Sequence, residues 1–294
     1  MIETVNFLDR KFRPRLPAYL KQAVPNGRAF SNVMDSIREF KLNTVCEEAK
    51  CPNRTHCYSR GTLTFQILGS VCTRACGFCA ETFGKPESGF DATEAERVVE
   101  AARRLKLKHV VITSPARDDM DDDGAGAFAA VVERFRAELP AVTVEILTPD
   151  FRDRQECLDI VFASRPHVFN HNIETVRRLT PKVRNKATYD RTLRVLAKAH
   201  QAGLVAKSGI MVGHGEEHDE LLETFRDLAA SGVRLVTIGQ YLAPSPRHLP
   251  VVRFYSPEEF DGLRREALQC GFLDVAAGPL VRSSYHADES IKNL

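Results

Sequence analysis

Six of the eight cysteines fall between Cys46 and Cys79. They form two triplets, spaced C-x4-C-x5-C and C-x3-C-x2-C: Cys46, Cys51 and Cys57, then Cys72, Cys76 and Cys79. Thiolates are the ligands that iron–sulfur clusters use, and a cubane normally takes four of them. A triplet therefore binds three irons of a cubane and leaves the fourth iron open for another ligand. This pattern indicates two iron–sulfur sites.

Two other interpretations of the triplets stay open, although they fit less well. Structural zinc takes four closed ligands, usually from two C-x2-C pairs, and neither triplet contains two such pairs. Inert thiols are typically scattered over apolar faces, whereas these cysteines stand among charged and polar residues. Cys157 and Cys270 do fit that description, and we expect both to be small core residues.

The second triplet follows a strand-like segment, residues 62–68, and resembles the signature of the radical S-adenosylmethionine (SAM) superfamily. The resemblance implies that the open iron binds the amino and carboxylate groups of SAM. One electron then cleaves SAM to a 5′-deoxyadenosyl radical, chemistry that belongs to the cofactor while the protein positions it. The resemblance also places Phe78 near the adenine.

Longer motifs resemble the lipoyl synthase family. Residues 43–53, which contain the first triplet's Cys46 and Cys51, and the C-terminal Arg282-Ser283-Ser284-Tyr285 are similar to two of its motifs. Further similar segments run in the same order along most of the chain: residues 110–114, 117–119, 147–151, 168–176, 207–211, 237–242 and 278–281.

Membership of that family implies a reaction. Ser284 is then the fourth ligand of an auxiliary [4Fe-4S] cluster on Cys46, Cys51 and Cys57, and that cluster is the sulfur source. Two sulfurs are inserted at C6 and C8 of an octanoyl group amide-linked to a lysine. Arg282 and Tyr285 support the cluster or substrate. Two alternatives remain: another radical SAM sulfur-inserting enzyme, or a non-catalytic iron–sulfur or zinc-binding protein.

The family also implies partners. These are an octanoylated lipoyl-carrier domain (of a 2-oxoacid dehydrogenase acyltransferase or a glycine cleavage H protein), an electron donor such as ferredoxin or flavodoxin, and an iron–sulfur carrier that rebuilds the spent cluster. Nothing in the sequence indicates an oligomer seam, so we expect a monomer.

Composition narrows the class of protein. The 294 residues are 43% hydrophobic, enough for a large core, and contain no run of 18 apolar residues, which disfavours a membrane span. The amino terminus has no basic segment followed by an apolar one, which argues against secretion. Clustered cysteines in an unsecreted protein indicate metal rather than disulfides, so we expect a cytoplasmic protein.

Charge is uneven along the chain. The net charge is only +2, yet residues 1–60 carry more Lys and Arg than Asp and Glu. Such an arm either steers an acidic protein partner or is simply solvated. We do not expect nucleic acid binding, because no strongly basic domain or aromatic-basic RNA motif is present.

The elements that position these residues alternate between strand and helix. Strands are predicted at 62–68, 109–113, 143–147, 168–172, 207–212 and 235–242, and helices at 92–105, 125–139, 155–163, 189–201, 219–230 and 257–270. This alternation indicates an α/β protein with a parallel sheet. Six units predict a partial (β/α)6 TIM-type barrel, the architecture of radical SAM proteins, over residues 61–270. Residues 1–60 are then an N-terminal extension carrying the auxiliary cluster, with a helix at 30–40, and residues 271–294 a C-terminal segment that closes on it.

Catalysis in such barrels occurs at the C-terminal ends of the strands. The second triplet follows the first strand and so lies there. Six more residues at or near strand ends are candidate SAM contacts: Asn170, Asn172, Glu174, Lys207, Met211 and Gln240. Arg177 and Arg184 are candidates to pair with a carboxylate, and His56 is a weaker candidate than Ser284 for the fourth ligand.

Two further features are noted. The acidic run at residues 118–124 lacks EF-hand spacing, so we expect a solvated loop and helix N-terminus. Tyr58, Ser70, Pro115, Ala116 and His214 differ from the residues common in the resembled family, and none of them removes a cluster ligand.

Overall fold

The structure, a computed structural model, describes residues 16–21, 28–60, 62–87, 89, 91–285 and 287. The amino-terminal residues used to argue against secretion lie outside this range, as does part of the basic arm. Ten strands are described: β1 (Asn43–Thr44), β2 (Thr64–Gln66), β3 (Val71–Cys72), β4 (Thr82–Phe83), β5 (His109–Thr113), β6 (Thr143–Leu147), β7 (Val168–Asn170), β8 (Val205–Val212), β9 (Leu235–Gln240) and β10 (Asp274–Gly278).

The main sheet contains eight of these strands in the order β1-β2-β5-β6-β7-β8-β9-β10. All neighbours are parallel except β1, which pairs antiparallel with β2. Within the described residues β1 and β10 do not pair with each other, so the barrel is open. The predicted α/β class and partial barrel are confirmed, and all six predicted strands are present.

Ten helices are described. They are α1 (Arg28–Glu39), α2 (Val45–Glu48), α3 (Arg54–Ser59), α4 (Glu94–Arg104), α5 (Ala125–Glu138), α6 (Gln155–Ala163), α7 (Thr180–Val183), α8 (Tyr189–Gln201), α9 (His218–Ala230) and α10 (Pro257–Gln269). From α4 onwards the helices lie between or after the parallel strands. Local chemistry explains where they begin. At α10 the Ser256 side chain accepts a hydrogen bond from the Glu259 backbone, as part of a capping box between these two residues. Pro257 occupies the first turn.

Two strands differ from expectation. The first predicted strand is shorter than residues 62–68 because Leu68 and Gly69 adopt positive φ, which turns the chain out of the sheet. No strand is predicted where β10 lies. Its Asp-Val-Ala-Ala-Gly sequence has little β-propensity, and it pairs with β9 over five residues all the same.

The core forms two apolar clusters on the outside of the sheet. One packs α4, α5 and α6 against β2, β5 and β6 around Phe128, and the other packs α9 and α10 against β8 and β9 around Phe225. Cys157 is 1% exposed in the first cluster, and Cys270 packs against the second, as expected for small core residues. No helix among the described residues is long and apolar enough to cross a membrane.

The segment after β10 folds back along the sheet towards β2. A Cβ added at Gly239 would lie 2.1 Å from the Val281 carbonyl oxygen, so only glycine admits this path. The Asn53 side chain donates to the Leu280 carbonyl oxygen from the other side. These contacts carry Arg282 to Tyr285 towards the first cysteine triplet.

Candidate active site

The first triplet lines one cavity. Cys46 lies on α2, Cys57 on α3 and Cys51 in the turn between them. The cavity encloses about 550 Å³, part of it open to solvent, and Arg282, Ser284 and Tyr285 also line it. Ser284, predicted from the family resemblance, therefore lies beside the three thiols. Exposed His56 does not line this cavity and instead packs its ring 5.9 Å from that of Tyr285.

The Ser284 hydroxyl is held in place from β2. Thr64 Oγ1 donates a hydrogen bond of 2.8 Å to Ser284 Oγ. Thr64 is 3% exposed and lines the same cavity. This hydrogen bond orients the Ser284 oxygen and leaves the serine's own proton and one lone pair available for another partner.

Burial disfavours charge on these thiols. Together with the neighbouring Cys51, burial raises the pKa of Cys46 to about 12 and that of Cys57 to about 11. Thiols must lose their protons to bind a metal, so loading this site releases protons. The partly buried Arg282 guanidinium lies near Cys51, and burial lowers its pKa. Arg282 would place a positive charge next to an anionic cluster bound in this cavity.

The residues around the cavity fit an iron–sulfur cluster. Three thiols and a hydroxyl line the cavity and would be the donors to such a cluster, and Asn53 Oδ1 is a buried acceptor that no other described residue contacts by hydrogen bond. In the described chain, no three His, Cys, Asp or Glu side chains gather closely enough to hold a single metal ion. A cubane bound in this cavity would take three of its ligands from the thiols that line it.

The second triplet lies in the loop from β3 to β4, at the C-terminal ends of the main strands. We call this loop, residues 73–81, the cluster loop. Arg74, between the first two cysteines of the triplet, anchors it. Its Nη2 lies 2.7 Å from Oδ1 of Asp118 and 2.7 Å from Oδ1 of Asp150, both in loops after neighbouring strands. Burial raises the pKa of Asp150, but the Arg74 charge and hydrogen bond outweigh it, so the pKa is well below its usual range.

Two further loops clasp the same segment. The Asn185 backbone N–H donates to Cys76 Sγ at 3.3 Å. The Leu249 N–H donates to the Gly77 carbonyl at 3.0 Å, and His248 Nε2 lies 2.9 Å from the Cys79 carbonyl oxygen. Burial raises the pKa of all three thiols, and the nearby thiols raise that of Cys79 further. The three thiols therefore lie near enough to affect one another's pKa, and their binding of a cluster remains a prediction.

Among the predicted SAM contacts, Asn172 and Glu174 lie together. Glu174 has φ +69°, and burial raises the pKa of its carboxyl although Arg184 and the Asn172 side chain oppose this. Arg184 also acts on Cys76, which brings this carboxylate and guanidinium to the second triplet. The Met211 N–H donates to the Glu174 carbonyl at 2.9 Å. Phe78 of the cluster loop is partly buried against the second core cluster.

The other predicted SAM contacts have protein partners. Lys207 Nζ lies 2.9 Å from Glu145 Oε1, and Asn170 Nδ2 donates to the same oxygen at 2.7 Å, all three side chains being buried. Gln240 donates to the carbonyls of Val212, Tyr241 and Arg253 and accepts from the Tyr255 N–H. These residues brace the barrel, and their predicted contacts with SAM remain predictions.

Two expectations change. Arg177 lies away from the site, where it pairs with Asp190 and Asp227 on the surface. The acidic run is not simply solvated: Asp118 pairs with Arg74, and Asp123, 1% exposed, pairs with Arg152. Both carboxylates find arginines from other loops, which spacing within the run does not reveal. Asp122 caps α5, as expected of a helix N-terminus.

Sequence reasoning missed one residue between the triplets. Burial, aided by the charge of Glu48, raises the pKa of Glu81 to about 7, and the Glu81 carboxylate in turn raises the pKa of Cys72 and Cys79. Gln66 Nε2 donates to Glu81 Oε2 at 3.2 Å. Polar residues such as these carry no spacing signal, so only the fold brings them together.

Comparisons with known proteins agree with this geometry. The family model described as "Radical SAM superfamily" matches residues 67–228, and the one described as "N-terminal domain of lipoyl synthase of Radical_SAM family" matches residues 3–51. Among solved structures, the Streptococcus suis SuiB bound to S-adenosylmethionine superposes with a TM-score of 0.56 at 14% identity. That match covers 74% of this chain and 51% of SuiB, so the chain spans about half of that protein's length. Methylornithine synthase (PylB) superposes with a TM-score of 0.50 at 14% identity, and the match covers 92% of this chain and 83% of that protein.

The fold and the second triplet thus define a radical SAM protein. Curated relatives narrow this further. The lipoyl synthase of Rubrobacter xylanophilus is 47% identical over 293 residues, which cover 99% of this chain and 91% of that protein. The lipoyl synthase of Staphylococcus aureus is 51% identical over 280 residues, which cover 94% of this chain and 92% of that protein. The chain belongs to the lipoyl synthase family.

Proposed function

We propose that this protein inserts two sulfur atoms at C6 and C8 of an octanoyl-lysine on a carrier domain and so forms a lipoyl group. The observation that carries the proposal is the pairing of two sites on one barrel. A cysteine triplet with an open fourth position lies at the strand ends, and a second triplet has a serine hydroxyl beside it.

Each site has a separate task. Cys72, Cys76 and Cys79 would hold the cluster that binds SAM, and Cys46, Cys51, Cys57 and Ser284 the auxiliary cluster. When bound, the first group supplies an electron that cleaves SAM, and the second supplies sulfur. An organic radical is required because no side-chain base removes a proton from an unactivated C–H bond at a useful rate.

The chain's own residues position and protect this chemistry. Arg74 fixes the cluster loop through two carboxylates, and Asn172 and Glu174 offer polar groups to the amino or ribose groups of SAM. An alkoxide is a harder ligand than a thiolate, so Ser284 makes one corner of the auxiliary cluster weaker than the other three. Thr64 holds that serine oxygen in place.

The partners follow from the substrate. The family implies a lipoyl-carrier protein, and we propose an octanoylated domain of the acyltransferase or H protein type. Lys186 and Arg247, exposed in the loops that flank the cluster loop, suit an acidic electron donor such as ferredoxin or flavodoxin. An iron–sulfur carrier would rebuild the spent cluster. All eight thiols are free, and labile clusters need a reducing compartment, so we propose the cytoplasm.

The test is anaerobic turnover. The reconstituted protein is assayed for iron and sulfide, then given SAM, dithionite and an octanoyl-lysine peptide. We expect about eight irons per chain from two cubanes, 5′-deoxyadenosine, and a peptide that gains two sulfurs by mass spectrometry. SAM cleavage with no sulfur gained would contradict the substrate. Zinc in place of iron would contradict the reaction class.

A further inference from the structure

The two consecutive serines of the C-terminal motif bond in different directions. Ser284 accepts from Thr64 on the side of the first triplet. Ser283 Oγ instead donates a 2.9 Å hydrogen bond to Asn172 Oδ1, in the loop that follows β7. A single peptide unit, about 3.8 Å between Cα atoms, therefore joins the two sites.

Gly209 of β8 supports the Ser283–Asn172 contact. A Cβ at this position would lie 2.7 Å from Asn172 Oδ1, 2.8 Å from Thr237 Oγ1 and 2.9 Å from Ser283 Oγ. The serine and the asparagine therefore rest against bare backbone, with no free space beneath them. Neither side chain can shift towards the strand, so movement of one is transmitted to the other.

Asn172 connects this contact to the SAM side of the barrel. Its side chain also lies near the Glu174 carboxyl, because it lowers the pKa that burial raises. Glu174 is itself fixed to β8, because its N–H donates to the Gly209 carbonyl at 3.0 Å and its carbonyl accepts from the Met211 N–H. A ligand that engages Asn172 or Glu174 must therefore compete with or reorient the bond to Ser283.

We propose that Ser283 is a positioning residue that couples SAM binding at Asn172 to the placement of Ser284 at the auxiliary cluster. The proposal rests on the proposed function, since it takes Asn172 as a SAM contact and Ser284 as a cluster ligand. When SAM binds, Asn172 moves away from Ser283. Residues 282–285 are then held less firmly, and the iron ligated by Ser284 becomes accessible. The weak corner is thus exposed only when the radical source is bound.

Coupling between two binding sites is reciprocal. A filled auxiliary cluster fixes Ser284, strengthens the Ser283–Asn172 bond and weakens SAM binding by the same factor. Typical couplings begin at about fivefold. Removing the Ser283 hydroxyl should abolish this dependence without touching any cluster ligand.

The experiment measures SAM affinity without turnover. Equilibrium dialysis with labelled SAM and no reductant is run on protein with both clusters and on a Cys46→Ala/Cys51→Ala/Cys57→Ala variant that lacks the auxiliary site. We expect about fivefold tighter SAM binding without the auxiliary cluster. In a Ser283→Ala background the ratio should fall to about one, and Ser283→Thr, which keeps the hydroxyl, should restore it.

A second readout follows the cluster itself. In wild-type protein, SAM should change the Mössbauer signature of the serine-ligated iron, and in Ser283→Ala it should not. Ser231→Ala is the matched control, because it removes a serine hydrogen bond at the end of α9, far along the chain from both triplets. That variant should keep the wild-type ratio and signature.

The outcomes separate this proposal from the proposed function. A wild-type ratio of one, or a Ser283→Ala ratio equal to that of wild type, overturns the coupling while SAM binding and sulfur insertion stand. Absence of any SAM binding overturns both.

Discussion

Thr64 and Ser284 are joined by a side-chain hydrogen bond of 2.8 Å although 220 residues separate them in the chain. The bond links β2 to the segment that follows β10, and both residues line the cavity of the first cysteine triplet. Its donor is the threonine, so the serine oxygen is oriented while its own proton stays available.

Thr64→Val tests this orientation. The change keeps the shape of the side chain but removes a hydrogen bond worth about 0.5–1.5 kcal/mol. We expect iron at the serine corner to leave about 2- to 10-fold faster, measured as release to a chelator under anaerobic conditions. Thr113→Val, which removes a similar bond on β5, is the control. Equal release from all three proteins would contradict the role of Thr64.

Ser284→Ala tests the ligand itself. Because the SAM cluster keeps its three cysteines, SAM binding and cleavage should continue, whereas the doubly sulfurated peptide should be lost. Mass spectrometry of the peptide and quantification of 5′-deoxyadenosine give the two readings from one sample. A normal yield of doubly sulfurated product would rule out the assigned role of Ser284.

Arg74→Met tests the anchor of the cluster loop. The change removes the 2.7 Å partner of the fully buried Asp150 and leaves Arg191, whose Nη1 lies 3.2 Å from Oδ2, so the loss should be at most the cost of removing one partner of a buried pair, about 3–5 kcal/mol. Urea unfolding of the metal-free protein measures the loss. Arg177→Met removes an arginine from an exposed pair and should cost at most about 1 kcal/mol. Similar losses in the two variants would show that Arg74 is not a buried anchor.

Lys207→Met tests whether this lysine stabilises the barrel or binds the cofactor. Its ammonium is 2.9 Å from Glu145, both buried, so the variant should lose about 3–5 kcal/mol of unfolding free energy. The double variant Lys207→Met/Glu145→Leu should recover part of this loss, because no charge is left unpaired. Full stability combined with lost SAM affinity would instead assign the lysine to the cofactor.

His214 predicts a pH dependence of stability. Its ring stacks on Tyr241 at 4.0 Å, and burial, aided by the Lys182 charge, lowers its pKa to about 4. An unfolded histidine titrates near 6.5, so the unfolded chain takes up the proton first and stability falls as the pH drops from about 6.5 to about 4. Over this pH range the free energy of unfolding of His214→Leu should decrease by about 3 kcal/mol less than that of the wild type, at 1.36 kcal/mol per pKa unit.

Urea unfolding of both proteins at pH 7 and pH 4.5 measures the difference. His171, whose pKa burial also lowers to about 4, is present in both proteins and contributes equally. An identical decrease in stability for wild type and His214→Leu would contradict this account.

The sequence predicts the strands and helices of this molecule better than the side-chain contacts between distant segments. The strands His109–Thr113 and Thr143–Leu147 match expectation at both ends, because hydrophobic periodicity and turn residues are local signals. Asp274–Gly278 is missed, since its edge position in the sheet is decided by the neighbouring strand and not by its own composition.

The same division holds at the site. Cysteine spacing alone indicates two clusters, and the family resemblance alone singles out Ser284. Arg74 with Asp150, Lys207 with Glu145 and Ser283 with Asn172 are contacts between distant segments. The local sequence of each residue does not indicate its partner, so only the folded chain identifies these pairs.

The distance along the chain between Thr64 and Ser284 also bears on biosynthesis. Ribosomes add about 5–20 residues per second, so the 220 residues between them take roughly 10 to 40 s to make. Throughout that interval a nascent chain carries Cys46, Cys51 and Cys57 without the serine. The proposed auxiliary site is therefore complete only after these residues have been made, and the order in which the ribosome delivers its proposed ligands sets the earliest moment at which a fully ligated cluster could form.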